Sequence, residues 1–137
     1  MKKYLIIFVV LFFSCNKKIT IEKKYFKNGD LQEMITRKGN YFNGEYIAFY
    51  SNGIKREEGI YKKNRKIGVW KAWYKSGNLF SIAEYENNQL INANGWDENS
   101  KQTLVDGNGY ALAFYPNGDS MSLINYTDCK WDGELIK

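Results

Sequence analysis

Apolar and aromatic residues recur along this chain in short runs, each closed by a polar turn. The unit reads Phe49-Tyr50-Ser51-Asn52-Gly53, then Trp73-Tyr74-Lys75-Ser76-Gly77, then Phe114-Tyr115-Pro116-Asn117-Gly118. An earlier copy is Tyr25-Phe26-Lys27-Asn28-Gly29, and a worn one is Gly95-Trp96-Asp97-Glu98-Asn99-Ser100, with serine where glycine stood. The closing positions 29, 53, 77, 100 and 118 are 24, 24, 23 and 18 residues apart. A fixed period in that range marks a repeat protein, in which each unit buries its apolar side only against its neighbours.

The runs between turns are β-branched and aromatic, there is one proline in the chain, and no segment after residue 20 has a helical period. Asn-Gly is a strong signal for a two-residue type I′ hairpin, because glycine reaches positive φ without strain. Asn28-Gly29, Asn52-Gly53 and Asn117-Gly118 carry it, and Ser76-Gly77 is a close variant. A two-residue turn at Ser76-Gly77 predicts Lys75 opposite Asn78, Tyr74 opposite Leu79, Trp73 opposite Phe80 and Trp70 opposite Ala83. The same register at Asn52-Gly53 places Tyr46 opposite Gly59, a large ring facing a small residue. A second turn follows eleven residues later each time, at Lys63-Asn64, Asn87-Asn88 and Asp128-Cys129. Gly44, Gly68 and Gly109, each preceding an aromatic strand, read as bulges or close backbone approaches. The expected fold is all-β, a stack of antiparallel hairpins forming one elongated meander sheet.

The segments Gly44-Glu45-Tyr46-Ile47-Ala48-Phe49-Tyr50-Ser51-Asn52-Gly53 and Gly68-Val69-Trp70-Lys71-Ala72-Trp73-Tyr74-Lys75-Ser76-Gly77 resemble the MORN repeat. They are similar in particular to its bacterial variant, found in small proteins often labelled antitoxin components. The resemblance is good over residues 41–91, recognisable over 25–40 and 109–133, and poor over 92–108. It implies a sheet of hairpins.

The N-terminus follows a different pattern. Lys2 and Lys3 precede an unbroken apolar run from Leu5 to Phe13. Nine residues fall short of the ~20 that a spanning helix needs, so a removable signal is expected. Ser14-Cys15 after that run resembles a bacterial lipoprotein signal, which implies cleavage before Cys15 and lipidation of its thiol. The expected organisation is a signal peptide over 1–14, a tether over 15–24 and a repeat domain over 25–137. Asn16 follows Cys15, where an aspartate would resemble an inner-membrane retention signal, so the outer membrane is the expected address within the cell envelope.

Composition narrows the chemistry. Loss of residues 1–14 removes two lysines and leaves 18 basic against 15 acidic residues, with no basic stripe to suggest nucleic acid. Lys17-Lys18 and Lys23-Lys24 read as a solvated tether, or as a site of attraction for anionic headgroups. The chain has no histidine, which removes the commonest general base and metal ligand. With Cys15 acylated, Cys129 has no intrachain partner; its turn position predicts an exposed, rapidly labelled thiol able to form disulfide-linked dimers.

The acid pairs Glu57-Glu58 and Asp97-Glu98 alternate between sheet faces and do not converge. Asp97 to Lys101 begins like a calcium loop but places lysine at a ligand position. Asp106-Gly107-Asn108-Gly109 is a turn with no helix behind it to cradle phosphate. No cofactor or metal is therefore expected. Most aromatic residues sit at repeat-defining positions and are structural. Trp96 and Trp131, which lie where the repeat decays, are the candidate binding residues. The expected function is a non-enzymatic, lipid-anchored protein-interaction module. The alternatives are an envelope glycan or headgroup binder using an aromatic face, and an immunity-type partner of a secreted toxin.

Overall fold

The computed structural model describes residues 17–114 and 120–136, where eleven strands form one sheet in chain order. They are β1 (Ile19–Tyr25), β2 (Leu31–Lys38), β3 (Tyr41–Phe49), β4 (Lys55–Lys62), β5 (Arg65–Trp73) and β6 (Leu79–Glu86). They continue as β7 (Gln89–Trp96), β8 (Gln102–Val105), β9 (Asn108–Phe114), β10 (Ser120–Thr127) and β11 (Lys130–Ile136). Every pairing is antiparallel and joins chain neighbours, so the architecture is the expected meander. The signal segment, Cys15 and the Tyr115–Gly118 part of the third aromatic unit lie outside the described residues.

Two kinds of turn alternate along the sheet and define its two long edges. At Lys63-Asn64, Asn87-Asn88, Asp106-Gly107 and Asp128-Cys129 both central residues have positive φ, between 48° and 79°. These are the type I′ turns, whose twist matches that of the flanking strands. The turns closing each aromatic unit are built differently from expectation. Only the glycine has positive φ there: +92° at Gly29, +81° at Gly53 and +96° at Gly77. Gly53 N donates to Tyr50 O (3.0 Å) and Tyr50 N to Ile54 O (2.8 Å); Tyr74, Gly77 and Asn78 repeat this pattern. The loop therefore has three residues, a tight turn followed by a left-handed glycine.

That difference moves the nearby register by one. Trp73 faces Leu79, not Phe80, and Tyr74 faces Asn78. A bulge between Ala72 and Trp73 then absorbs the extra residue, so Trp70 faces Ala83 as expected. Tyr46 likewise faces Gly59 beyond the bulge after Ala48. Gly44 and Gly68 lie within irregularities of the β2–β3 and β4–β5 pairings, whereas Gly109 is regularly paired at a close approach: a Cβ on Gly44 would lie 2.8 Å from Thr36 Cβ, and one on Gly109 only 2.3 Å from Thr103 O.

The expected tether gives way to strand from Ile19. Ile-Thr-Ile favours extended backbone, and the strand is tied to β2 by ion pairs Lys24–Glu33 (2.9 Å) and Glu22–Arg37.

A single-layered sheet must make its core from side chains lying over its own strands. Among the described residues the buried hydrophobic side chains are Ile35, Tyr46, Ala48, Trp70, Tyr74, Ala93 and Leu104. Gly59 makes the central packing feasible, because the Trp70 ring lies across it and a Cβ there would be 2.2 Å from Trp70 Cδ2. Phe42, Tyr61 and Tyr85 close around this centre, with Tyr61 and Trp70 meeting edge to face at 4.9 Å.

Candidate functional site

The aromatic face is closed by its own cations. Lys66 Nζ sits 3.8 Å from the Trp70 ring centroid and pairs with Glu57 at 2.7 Å. The Arg37 guanidinium lies 4.3 Å over Phe42 and is held by Glu22. The Tyr46 hydroxyl donates to Glu33 (3.2 Å), and burial, reinforced by that carboxylate, raises its pKa. Trp70, Tyr61 and Tyr85 meet edge on, so the rings form a packed core and offer no flat platform for a sugar.

The opposite face is open. Ile47, Ile60 and Val69 floor a shallow depression of about 490 Å³, rimmed by Glu45, Glu58 and Lys71. Ile60 is 48% exposed and Val69 52%. An apolar floor with a mixed-charge rim has the chemistry of a protein contact patch.

The first acid pair separates as alternation requires, whereas Asp97-Glu98 lies in the turn after β7 and not in a strand as expected. Glu57 belongs to the aromatic face beside Lys66, whereas Glu58 pairs with Lys55 (2.6 Å) and lines the depression. Asp97 is committed to its own turn, its carboxylate accepting from Asn99 N and Lys101 N, both at 2.9 Å. Among the described residues no group of three or more acids and cysteines could hold a metal ion, and no helix is long and apolar enough to cross a membrane.

Trp96 and Trp131 are not brought together. Trp96 ends β7 at the edge of glycine-closed turns, half-buried, and its carbonyl accepts the Tyr74 hydroxyl at 2.8 Å. Trp131 begins β11 beside the type I′ turn at the opposite long edge and is 63% exposed. Cys129 occupies the expected turn slot, with φ 59° and the flanking pair Thr127↔Lys130. Its thiol is half-buried, against the expected exposure, and donates to Ile91 O at 3.4 Å. The cause is Gly107, whose missing side chain leaves the space that Cys129 Sγ fills.

Sequence reasoning missed two devices that join one unit to the next. Tyr50 OH donates to Trp73 O (2.9 Å) as Tyr74 OH does to Trp96 O, linking successive aromatic turns. Asn64 N donates to Phe42 O while Asn64 Oδ1 accepts Phe42 N (2.7 Å), and Asn88 repeats this with Lys66. The signal was present in the sequence as the fixed Tyr and Asn positions within each unit.

Residues 42–63 and 66–87 match the family model for the MORN repeat variant. Those two segments are similar to units of that repeat. They span β3–β4 and β5–β6, so each match is one hairpin closed by a glycine turn. Repeats of this kind are in general protein- or membrane-interaction modules and typically non-enzymatic. No curated protein and no solved structure matches the chain significantly.

Proposed function

We propose that this chain is a non-enzymatic interaction module of the cell envelope, held by a lipid on Cys15 and offering its open sheet face to a protein partner. The observation that carries the partner reading is the depression floored by Ile47, Ile60 and Val69, an uncovered apolar patch rimmed by charged side chains. The anchor reading rests on the apolar run ending at Ser14-Cys15. The outer membrane is the proposed address, and Cys129 the proposed site of any disulfide-linked dimer.

A photo-crosslinking side chain placed at Ile60 in living cells should give a discrete protein adduct that Val69→Arg abolishes. The same probe at Lys75, on the turn edge, should give none. Adducts of equal intensity at both positions would dismiss the patch. Mass spectrometry of the membrane fraction should find the acyl mass on Cys15; a soluble form cut elsewhere would dismiss the anchor.

A further inference from the structure

The sheet is open, so its first strand has one side that meets no other strand. Among the described residues β1 pairs only with β2. Gly39 N donates to Lys18 O (3.1 Å), and the register runs on from there as Ile19↔Lys38. In an antiparallel ladder the residues bonded to the neighbour alternate with those that face away from it. Lys18, Thr20, Glu22 and Lys24 therefore bond to β2, while the N–H and C=O groups of Ile19, Ile21 and Lys23 point outward. Ile19 is 65% exposed and Ile21 60%. Met34 stands opposite both Lys23 and Ile47, so these outward residues carry their side chains on the open face of the sheet.

The first half of β1 is not blunted. Sheet edges are ordinarily protected by proline, by bulges or by charge. β1 has no proline, and its register is unbroken from Ile19 to Lys24. Its charges gather in Glu22-Lys23-Lys24, which leaves Ile19-Thr20-Ile21 uncharged and β-branched, a template for strand addition. The strand is also complementary to itself in one antiparallel register. With Thr20 opposite Thr20 of a second copy, Ile19 meets Ile21 and Lys18 meets Glu22, whose carboxylate also serves Arg37. The outward groups of Ile19 and Ile21 then bond to one another, as the ladder requires. Sliding the copies one step toward Lys24 sets Lys18 against Lys24; further steps set Glu22 and then Lys23 against itself. A slide the other way shortens the overlap. In the favoured register Lys17 falls opposite Lys23, but its ammonium is drawn over the Tyr41 ring of its own chain.

We infer that β1 is the docking edge for β1 of a second copy of this chain, joining two meanders into one continuous antiparallel sheet. The twofold axis stands normal to the sheet and passes between the two Thr20 residues. It keeps like faces together, so both depressions lie on one side of the joined sheet. An isologous contact of this kind uses up the open side of β1 in both copies and stops at two. The contact is made by the backbone of β1 and needs neither the depression, the lipid at Cys15 nor the Cys129 thiol.

The test is oxidative crosslinking of the full chain in the cells that express it, on a Cys129→Ser background. Thr20→Cys would stand opposite itself in a pair not hydrogen-bonded across the joint, with Cα atoms ~4.5 Å apart and within disulfide reach. It should give a species of twice the chain mass that reductant dissolves. Lys23→Cys, also exposed on the same strand, would lie ~20 Å from its counterpart and should give none above the Cys129→Ser parent. That parent keeps Cys15 and so reads any linkage through it. Adding Ile21→Pro to Thr20→Cys should abolish the link. The Ile21 N–H faces away from β2, a position where an edge strand tolerates proline, and circular dichroism verifies the fold. Lys18→Glu leaves the backbone untouched and should lower the yield by setting a second carboxylate opposite Glu22. Equal linkage at positions 20 and 23, or none at 20, would overturn the proposal. So would a link that survives both Ile21→Pro and Lys18→Glu. An adduct carrying the mass of a different protein would give the edge to that partner and overturn the pairing of copies.

Discussion

The turns at Gly77 and Ser100 have nearly the same backbone, and the sequences that make them have little in common. Gly77 N donates to Tyr74 O and Tyr74 N to Asn78 O; Ser100 N donates to Asp97 O and Asp97 N to Lys101 O. Glycine at +96° is unstrained, whereas Ser100 at +63° occupies a region that an L-residue enters at a cost of ~1–2 kcal/mol. Asp97 replaces the tyrosine and offsets part of that cost with two hydrogen bonds to its own turn. What the worn unit lost is length. Strand β8 has four residues where β4 and β6 have eight, and β9 has seven where β3 and β5 have nine. Those differences account for the step of 18 against 24. Turn geometry thus tolerates replacement while strand length changes freely, provided that pairing continues.

Core substitutions should separate the two regions most. Trp70→Ala is expected to cost ~3–5 kcal/mol in urea denaturation, since it empties the centre of the ring cluster over Gly59. Leu104→Ala, in the worn unit, should cost closer to ~2 kcal/mol. A larger loss at Leu104 would show that the shortened unit, not the aromatic one, holds the sheet together.

The turn pair comes next. Gly77→Val should destabilise by ~1–2 kcal/mol or more, because a β-branched residue is a true outlier at positive φ. Ser100→Gly should stabilise by up to ~1 kcal/mol by relieving the same strain. Ser76→Asn should be mildly stabilising, since Asn52 in the matching slot accepts Ile54 N (3.2 Å) and donates to Lys75 O. Opposite signs at 77 and 100 are the sharpest check that both are one turn type.

The smallest effect concerns Tyr74, whose pKa burial pushes up to about 12. The native state holds the phenolic proton more tightly than the unfolded chain does. Its contribution is therefore complete below pH ~10 and is lost as pH rises through about 12. Tyr74→Phe should lose ~1 kcal/mol at neutral pH, by removing the bond to Trp96 O, and should flatten the alkaline decline. A decline as steep in the variant as in the parent would assign the effect to other tyrosines.

The interior register was legible because the pairs Tyr46↔Gly59 and Trp70↔Ala83 depend only on total spacing, which the bulges restore. The pairs beside the glycine turns were not. Asn-Gly serves both a two-residue loop and a three-residue one, and the choice depends on the bulge that follows. The depression on the open face was hidden because its floor is gathered from three strands, β3, β4 and β5, on which Ile47, Ile60 and Val69 stand far apart in sequence. Cys129 was placed correctly and judged too exposed, because nothing in the local sequence shows that Gly107 lies beneath it.

Because every strand pairs in the ladder only with its predecessor and successor, opening is close to a one-dimensional process. Damage to one hairpin spreads outward to the nearer end, and the amides on the far side keep their protection. The free energy of opening should therefore rise from both ends of the sheet toward Tyr46 and Trp70, giving hydrogen exchange a single slow centre. Loss of either terminal hairpin would leave that centre folded, so a protease could shorten this protein from its ends well before unfolding it.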